Sequence, residues 1–516
     1  MIIDDQQYDI IIVGTGAGGG TLAYKLAPTG KKILILERSN FLPQEEENWS
    51  AVEVFKKERY HTQEQWYDSA GEPFRPQINY WVGGNTKVYG AALLRMRERD
   101  FQEVKHQDGV SIEWPLKYQD FEPYYTEAEK LYHVHGKSGD DPTEPPRSET
   151  YPYAEVSHEA RMQTIADAIS QQGLHPTHLP LALKSDCIRC HTCDGFPCKI
   201  DAKADAHTVG INPALSHSNV TLKTSAKVVR LHTNPSGMEV KAVEAEIDGQ
   251  SYLFFADIVV LACGAVNSAA LLLRSANDKH PKGLANSSDL VGRNFMKHLM
   301  TAMVQLSPTP NPTVFQKTIS VNDFYWGESE FPFPMGHIQN TGSILQEMIP
   351  AEASPLLSLM SRLVPGFGLR QLANHSIGWW LQTEDLPDPK NRVRVVGDKL
   401  YLDYAPNNTE AHDRLIYRWT DVLKAVDRTS ENPVFRRGIY PRSDSPIQVV
   451  ANQCGTCRFG EDTKTSVLDL DCRTHDVNNL YVVDGSFFPS NSGVSPALTI
   501  IANALRVGDR LIAQLH

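Results

Sequence analysis

The chain has 516 residues, 41% of them hydrophobic and 22% charged, and carries a net charge of −12. That length exceeds what one growing core supports and predicts two intimately joined domains in an ordinary soluble globular protein. The negative charge, with no Lys/Arg stripe to interrupt it, argues against a nucleic-acid partner, and no 18-residue apolar run is present to span a bilayer.

The opening MIIDDQQYDIIIVG is acidic and enters a strand at once. Without a basic start, an apolar middle and a small-residue cleavage site, it predicts a cytoplasmic protein. The apolar run Ile10 to Val13 is what a buried parallel strand requires. Gly14, Gly16 and Gly19 then form GxGxxG ahead of a helix patterned through Leu22 and Leu26. Backbone N–H groups at such a turn, together with the helix N-terminus, cradle a pyrophosphate. The next strand, KILILE, ends at Glu37, at about the 20-residue offset of an acid that accepts ribose hydroxyls. Strand, turn, helix, second strand and acid together predict a Rossmann-type unit for an adenine dinucleotide, against the alternative of a ligand-free glycine turn.

Further on, YWVGGNTKVYGAALLRM (Tyr80 to Met96) places Gly83, Gly84 and Gly90 where a backbone can approach a flat ring closely. Residues 136–160 are rich in Pro, Ser and acids and predict an exposed loop or lid. Four of the chain's eight cysteines, Cys187, Cys190, Cys193 and Cys198, crowd into CIRCHTCDGFPC with the spacing C-x2-C-x2-C-x4-C. That is near the spacing of ferredoxin-type loops, with the last interval one residue longer and Pro197 before the final Cys. An iron–sulfur cluster, a zinc site and plain reduced thiols all stay open for it. Cys454, Cys457 and Cys472 are read as packing residues.

Dinucleotide-type elements recur near residues 1–100, 205–300 and 445–516. They predict one discontinuous domain from 1–100, 184–300 and 445–516, with 101–183 and 301–444 forming a substrate domain and lid or loop insertions. From Thr301 to about Ser443 the polar and aromatic alternation, as in HSIGWWLQTEDL, predicts antiparallel strands that roof the ligand. Near the C-terminus, Asp484 and Gly485 end the strand LYVVDG, placing a turn at the carboxyl edge of a parallel sheet. Pro496 leads into a helix from Ala497, a position Pro tolerates while N–H groups stay free.

These pieces, in this order and over most of the chain, resemble the glucose-methanol-choline (GMC) oxidoreductases, flavoenzymes that oxidise alcohols. YWVGGNTKVYGAALLRM, IVVLACGAVNSAALLLRS from Ile258, LVGRNFMKH from Leu290 and the closing NLYVVDGSFFPSNSGVSPALTIIANALRVGD carry the resemblance. WPLKYQDFEPYYTEAE from Trp114 is similar to pyranose-oxidase-like and gluconate-dehydrogenase-like members. The resemblance implies an α/β fold, a Rossmann-type FAD-binding domain with a parallel sheet plus an antiparallel-sheet substrate domain of α+β type. It implies FAD held by Gly14, Gly16, Gly19, Glu37, Gly83, Gly84, Asn85, Val88, Tyr89, Gly90, Val229, Asp484, Gly485, Pro496 and Ala497. With no His between Ile78 and Arg97 to tether the flavin, noncovalent FAD is expected. An alcohol or sugar substrate is implied, with oxygen, a quinone or a redox protein as electron acceptor.

In that family a His before a GTC-like turn and a His or Asn in the C-terminal signature take the hydroxyl proton while a hydride passes to flavin. Aligning NQCGTCRFG and GVSPALT puts Asn452 and Ser495 at these two catalytic positions. An amide takes up no proton near neutral pH, so Asn452 can orient a hydroxyl but cannot serve as a general base. The expectation is oxidation of a CH–OH group on a sugar, glycoside, polyol or cyclic alcohol, impaired by Asn452. The alternative is a flavin-binding protein of the same fold without efficient turnover. His298 and His475 are the substitute bases to weigh, each against a structural role.

Overall fold

The computed structural model describes residues 2–307, 309–349, 366–428 and 440–515. Within the 301–444 stretch assigned to the second domain, residues 308, 350–365 and 429–439 lie outside the described residues.

The first sheet grows from β1 (Ile2–Val13), flanked in parallel by β2 (Ile33–Leu36) and by a later strand, β6 (Gln250–Leu261). A strand covered on both faces has to be apolar on both, and Ile10, Ile11 and Ile12 have no exposed surface. Helix α1 (Ala17–Leu26) connects β1 to β2, and β3 (Val220–Lys223) extends the sheet in parallel beyond β2. On the other side β4 (Ala226–Thr233), β5 (Val240–Ile247) and β6 form an antiparallel meander. The order is β3-β2-β1-β6-β5-β4, and Leu480–Val482 pairs in parallel with the end of β6. Helix α2 (Ala265–Arg274) follows β6.

The sheet is therefore mixed, where the sequence predicted a parallel one. Asp248 and Gly249, between β5 and β6, have φ of 49° and 74°. Two consecutive positive φ values make a two-residue hairpin turn, and such a turn returns the chain antiparallel.

The second sheet has β7 (Leu299–Leu306), β8 (Ile319–Val321), β9 (His337–Asn340), β10 (Ser376–Thr383) and β11 (Arg442–Asp444), with Pro176–His178 on one edge. Its order is β11-β7-β10-β9-β8 and then the edge strand, antiparallel throughout. Alternation along β10 sends Ile377, Trp379 and Leu381 into a core shared with helix α3 (Thr409–Arg428). Trp419 of α3 meets Trp379 edge-on with centroids 4.7 Å apart. Trp380 and Gln382 consequently face the opposite way, into the cavity beneath.

Residues 136–160 are irregular, as expected of a loop, but none of them lines that cavity. Ion pairs Arg97–Asp141 at 2.7 Å, Arg147–Glu129 and His178–Asp140 hold them to the body of the protein.

His412 fastens α3 to the roof: its Nε2 lies 2.8 Å from Thr301 Oγ1 and its Nδ1 2.8 Å from Thr383 Oγ1. Burial pushes its pKa down to about 4. The folded state thus keeps this ring neutral, whereas the unfolded chain protonates it below about pH 6.5. Its stabilisation is present above that pH and is lost as pH falls toward the folded value. Urea denaturation between pH 7 and 4 should lose up to about 1.4 kcal/mol per pH unit more in the parent than in His412→Gln. Equal slopes in the two proteins would exclude this role.

Candidate active site

Between the two sheets lies a cavity of about 1630 Å³, larger than the ~300–1,000 Å³ of ordinary small-molecule sites. Its wall includes Gly14, Gly16, Glu37 and Val229 from the first sheet and Met300, Trp380 and Gln382 from the roof. Gly14 has φ of 99°, and a Cβ there would stand 2.5 Å from Ala262 O. At Gly16, just before α1, a Cβ would meet nothing within 4 Å; the space kept open is the cavity itself. Gly19 does not line the wall: its Cβ would fall 2.1 Å from Gly14 O, so it lets the helix pack on the turn and touches no ligand space.

Glu37 is fixed by the turn it faces. Its Oε2 accepts from Thr15 N at 3.1 Å and from Thr15 Oγ1, and its Oε1 accepts from Ser39 N at 3.2 Å. Burial raises its pKa, and these hydrogen bonds oppose the rise. The first turn of α1 carries no acid to repel a phosphate. Open backbone space at Gly16, a helix N-terminus and a carboxylate at the end of β2 together fit a dinucleotide.

The glycine-rich segment supplies Gly84, Asn85, Val88, Tyr89 and Gly90 to the wall. Gly83 is absent from it; with φ of 100° and its N–H on Thr15 Oγ1 at 3.1 Å, it ties this segment to the first turn. Thr15, invisible in a glycine motif, thus joins three segments.

The C-terminal elements meet through backbone. Gly455, Cys457 and Phe459 donate to Gly485 O, Ser486 O and Phe487 O at 3.0, 2.9 and 3.0 Å. Asp484 lines the cavity, but its carboxylate is used by the protein, accepting from Gly264 N at 3.0 Å, Ser486 N at 2.9 Å and two serine hydroxyls. A Cβ on Gly485 would fall 2.4 Å from Gln453 O. Pro496 and Ala497 line the wall where α4 (Ala497–Leu515) begins.

This packing brings Asn452 and Ser495 to one atom. Gln382 Oε1 accepts from Ser495 Oγ at 3.2 Å and Asn452 Nδ2 at 3.4 Å, while Gln382 Nε2 donates to Gly493 O at 3.2 Å. Met300 Sδ lies 3.6 Å from Asn452 Nδ2. The sequence reading missed Gln382; the alternation of WWLQT was the signal, since it puts Trp380 and Gln382 on one face.

Neither substitute base reaches this point. His298 is buried, with its ring nitrogens engaged by Ser492 O at 2.6 Å and Asn491 Nδ2 at 3.1 Å, and burial lowers its pKa. His475 bonds Ser466 Oγ at 2.9 Å and is not on the wall. His61 does line the cavity, held neutral-leaning by a pKa that burial lowers.

Among the described residues no three His, Cys, Asp or Glu side chains converge to hold a metal ion, and Cys187, Cys190, Cys193 and Cys198 form no disulfide. The loop is organised instead by Lys203, whose ammonium donates to Cys193 O at 2.8 Å, Phe196 O at 2.9 Å and Tyr89 O at 2.7 Å. Burial pushes the Cys193 thiol up to about 11. Two residues of this loop, Asp194 and Gly195, reach the cavity.

Comparison with known proteins agrees with this geometry. Two sequence profiles described as GMC oxidoreductase match residues 8–300 and 389–504. The chain is 30% identical over 537 residues to 6'''-hydroxyparomomycin C oxidase of Streptomyces lividus, covering 99% of this chain and 92% of the relative. It is 26% identical to the fructose dehydrogenase large subunit of Gluconobacter japonicus, covering 98% of each. The fold matches pyridoxine 4-oxidase from Mesorbium loti with a TM-score of 0.69 at 19% identity over 99% of both chains.

Gly16→Val tests the cofactor cradle. Its φ of −67° suits any residue and its Cβ meets no protein atom, so the variant should keep its circular dichroism and thermal midpoint. The added side chain fills the space left for a pyrophosphate, so flavin content should drop at least tenfold. Retention of full flavin would refute this placement.

Proposed function

The chain belongs to the GMC oxidoreductase family, FAD-dependent enzymes acting on alcohol groups, and from that premise we propose that Asn452, Ser495 and Gln382 mark where its substrate hydroxyl binds. The observation that carries this reading is the shared Gln382 oxygen, which draws together two residues 43 apart in sequence, one before the GTC turn and one in the C-terminal signature. The substrates we infer are sugars, glycosides, polyols or cyclic alcohols.

FAD, when bound, supplies the hydride acceptor. Gly14, Gly16 and the N-terminus of α1 would hold its pyrophosphate, Glu37 its ribose, and the segment through Gly90 together with Pro496 and Ala497 its ring. No His in that glycine-rich segment supports noncovalent attachment. The electrons leave to oxygen, a quinone or a redox protein.

Asn452 and Ser495 can orient a hydroxyl through their own hydrogen bonds, but neither accepts its proton near neutral pH. Losing a general base typically costs about 10² to 10⁴ in rate, so turnover by this chain is slow. The second reading, a flavin protein that binds an alcohol without efficient turnover, draws on the same two side chains.

Asn452→His restores an imidazole beside Gln382 with a pKa near working pH. Anaerobic stopped-flow bleaching of the flavin by a panel of sugars, polyols and cyclic alcohols should accelerate by about 10² or more. The acceleration should grow as pH rises through the imidazole pKa, because only the neutral ring takes a proton. Asn452→His with Ser495→Asn should exceed either change alone, since both side chains share one hydroxyl. A double variant that holds FAD and binds a panel member, yet bleaches no faster than the parent, removes Asn452 from the catalytic position.

A further inference from the structure

We infer that the ion pair Lys317–Asp194 makes this cavity selective for neutral polyhydroxylated substrates over cationic aminosugars and anionic sugar acids; the inference rests on the reaction site proposed above. Lys317 stands two residues before β8 in the roof and Asp194 belongs to the cysteine loop. Lys317 Nζ lies 2.8 Å from Asp194 Oδ2, and both residues line the cavity. The pair packs against Gly90, where a Cβ would come within 2.1 Å of Lys317 Nζ and 2.4 Å of Asp194 Oδ1. It therefore sits on the same glycine-rich segment that borders the cofactor space.

The Lys317 side chain is 4% exposed, yet among the described residues Asp194 is its only hydrogen-bond partner. An ammonium has three donors, so those not used on Asp194 are available to a ligand oxygen in the cavity that Lys317 lines. Asp194 uses Oδ2 for Lys317 and for Gly342 N at 3.3 Å, while Oδ1 has no partner among the described residues. Donor and acceptor side by side match a hydroxyl, which both gives and receives a hydrogen bond. Trp380 and Gln339, paired across β10 and β9, border the same space with an indole N–H and an amide.

The pair also gives a charged group no net attraction. A substrate ammonium or carboxylate meets one attractive and one repulsive partner there and still gives up its own hydration, whereas a hydroxyl uses both partners without desolvating a charge. Asp444 also lines the cavity, but on β11, far across the roof sheet from β8, and its carboxylate accepts from Thr301 Oγ1 at 2.6 Å.

Isothermal calorimetry on oxidised, FAD-loaded protein tests the inference with glucose and xylitol as neutral probes, glucosamine as the cation and gluconate as the anion. The neutral probes should bind most tightly to the parent. Lys317→Met should weaken them about tenfold and shift preference toward glucosamine, because Asp194 is left uncompensated. Asp194→Asn should shift preference toward gluconate. Parent protein that binds glucosamine or gluconate as tightly as the neutral probes, or binds no neutral probe, overturns the inference, as do well-folded variants with an unchanged ranking. The parent ranking needs no variant, so a misfolded substitution does not leave the question open. This readout needs no turnover, so its failure is distinct from failure of the Asn452 reading, which is measured by flavin bleaching.

Discussion

A carboxylate carried out of water holds its place only if hydrogen bonds replace its solvent, and the centre of this molecule is organised around one such group. Asp484 is buried and accepts from Gly264 N and Ser268 Oγ with one oxygen and from Ser486 N and Oγ with the other. Burial raises its pKa, and those four donors oppose the rise. Through them the end of β6, the start of α2 and the turn after Leu480–Val482 are held in one arrangement. Gln453 reinforces it, its Oε1 accepting from Val266 N at 2.8 Å. Because Gln453 adjoins Asn452, the same scaffold also sets where the Asn452 amide on the cavity wall points.

The roof contributes by periodicity rather than by a motif. A strand turns alternate side chains to opposite faces, so β10 can seal a core with Trp379 and Leu381 while presenting Trp380 and Gln382 below. Gln382 is further fixed by its donation to Gly493 O, and Tyr325 Oη accepts from Gly493 N at 2.9 Å. The loop carrying Ser495 is thus gripped from both sides before any ligand arrives. Preorganisation of this kind favours binding and orientation. It does not by itself supply a proton acceptor, which is why the identity of two side chains outweighs the quality of the surrounding frame.

The same economy governs the cysteine segment. Its spacing invites a metal, yet Lys203 spends its donors on three backbone carbonyls, and the loop delivers Asp194 and Gly195 to the cavity wall. Spacing along the chain constrains how far apart thiols can be; it does not constrain which way they point, and direction is what a ligand set requires.

The sequence by itself determined the family and the form of the dinucleotide turn, because these rest on local requirements. A positive φ at Gly14, an open position at Gly16 and an acid closing β2 are each readable from neighbours along the chain. The antiparallel meander was also written locally, in Asp248–Gly249, although the parallel expectation overrode it. Only the tertiary structure separated Gly19 and Gly83, which pack backbone on backbone, from the glycines that border the cavity. Only it showed Asp484 satisfied by protein, His298 closed off by Asn491 and Ser492, and Gln382 and Lys317 facing the ligand space. Those facts depend on contacts between residues tens to hundreds of positions apart, where the direction of a side chain is decided by sheet pairing and close packing, and no spacing rule along the chain encodes it.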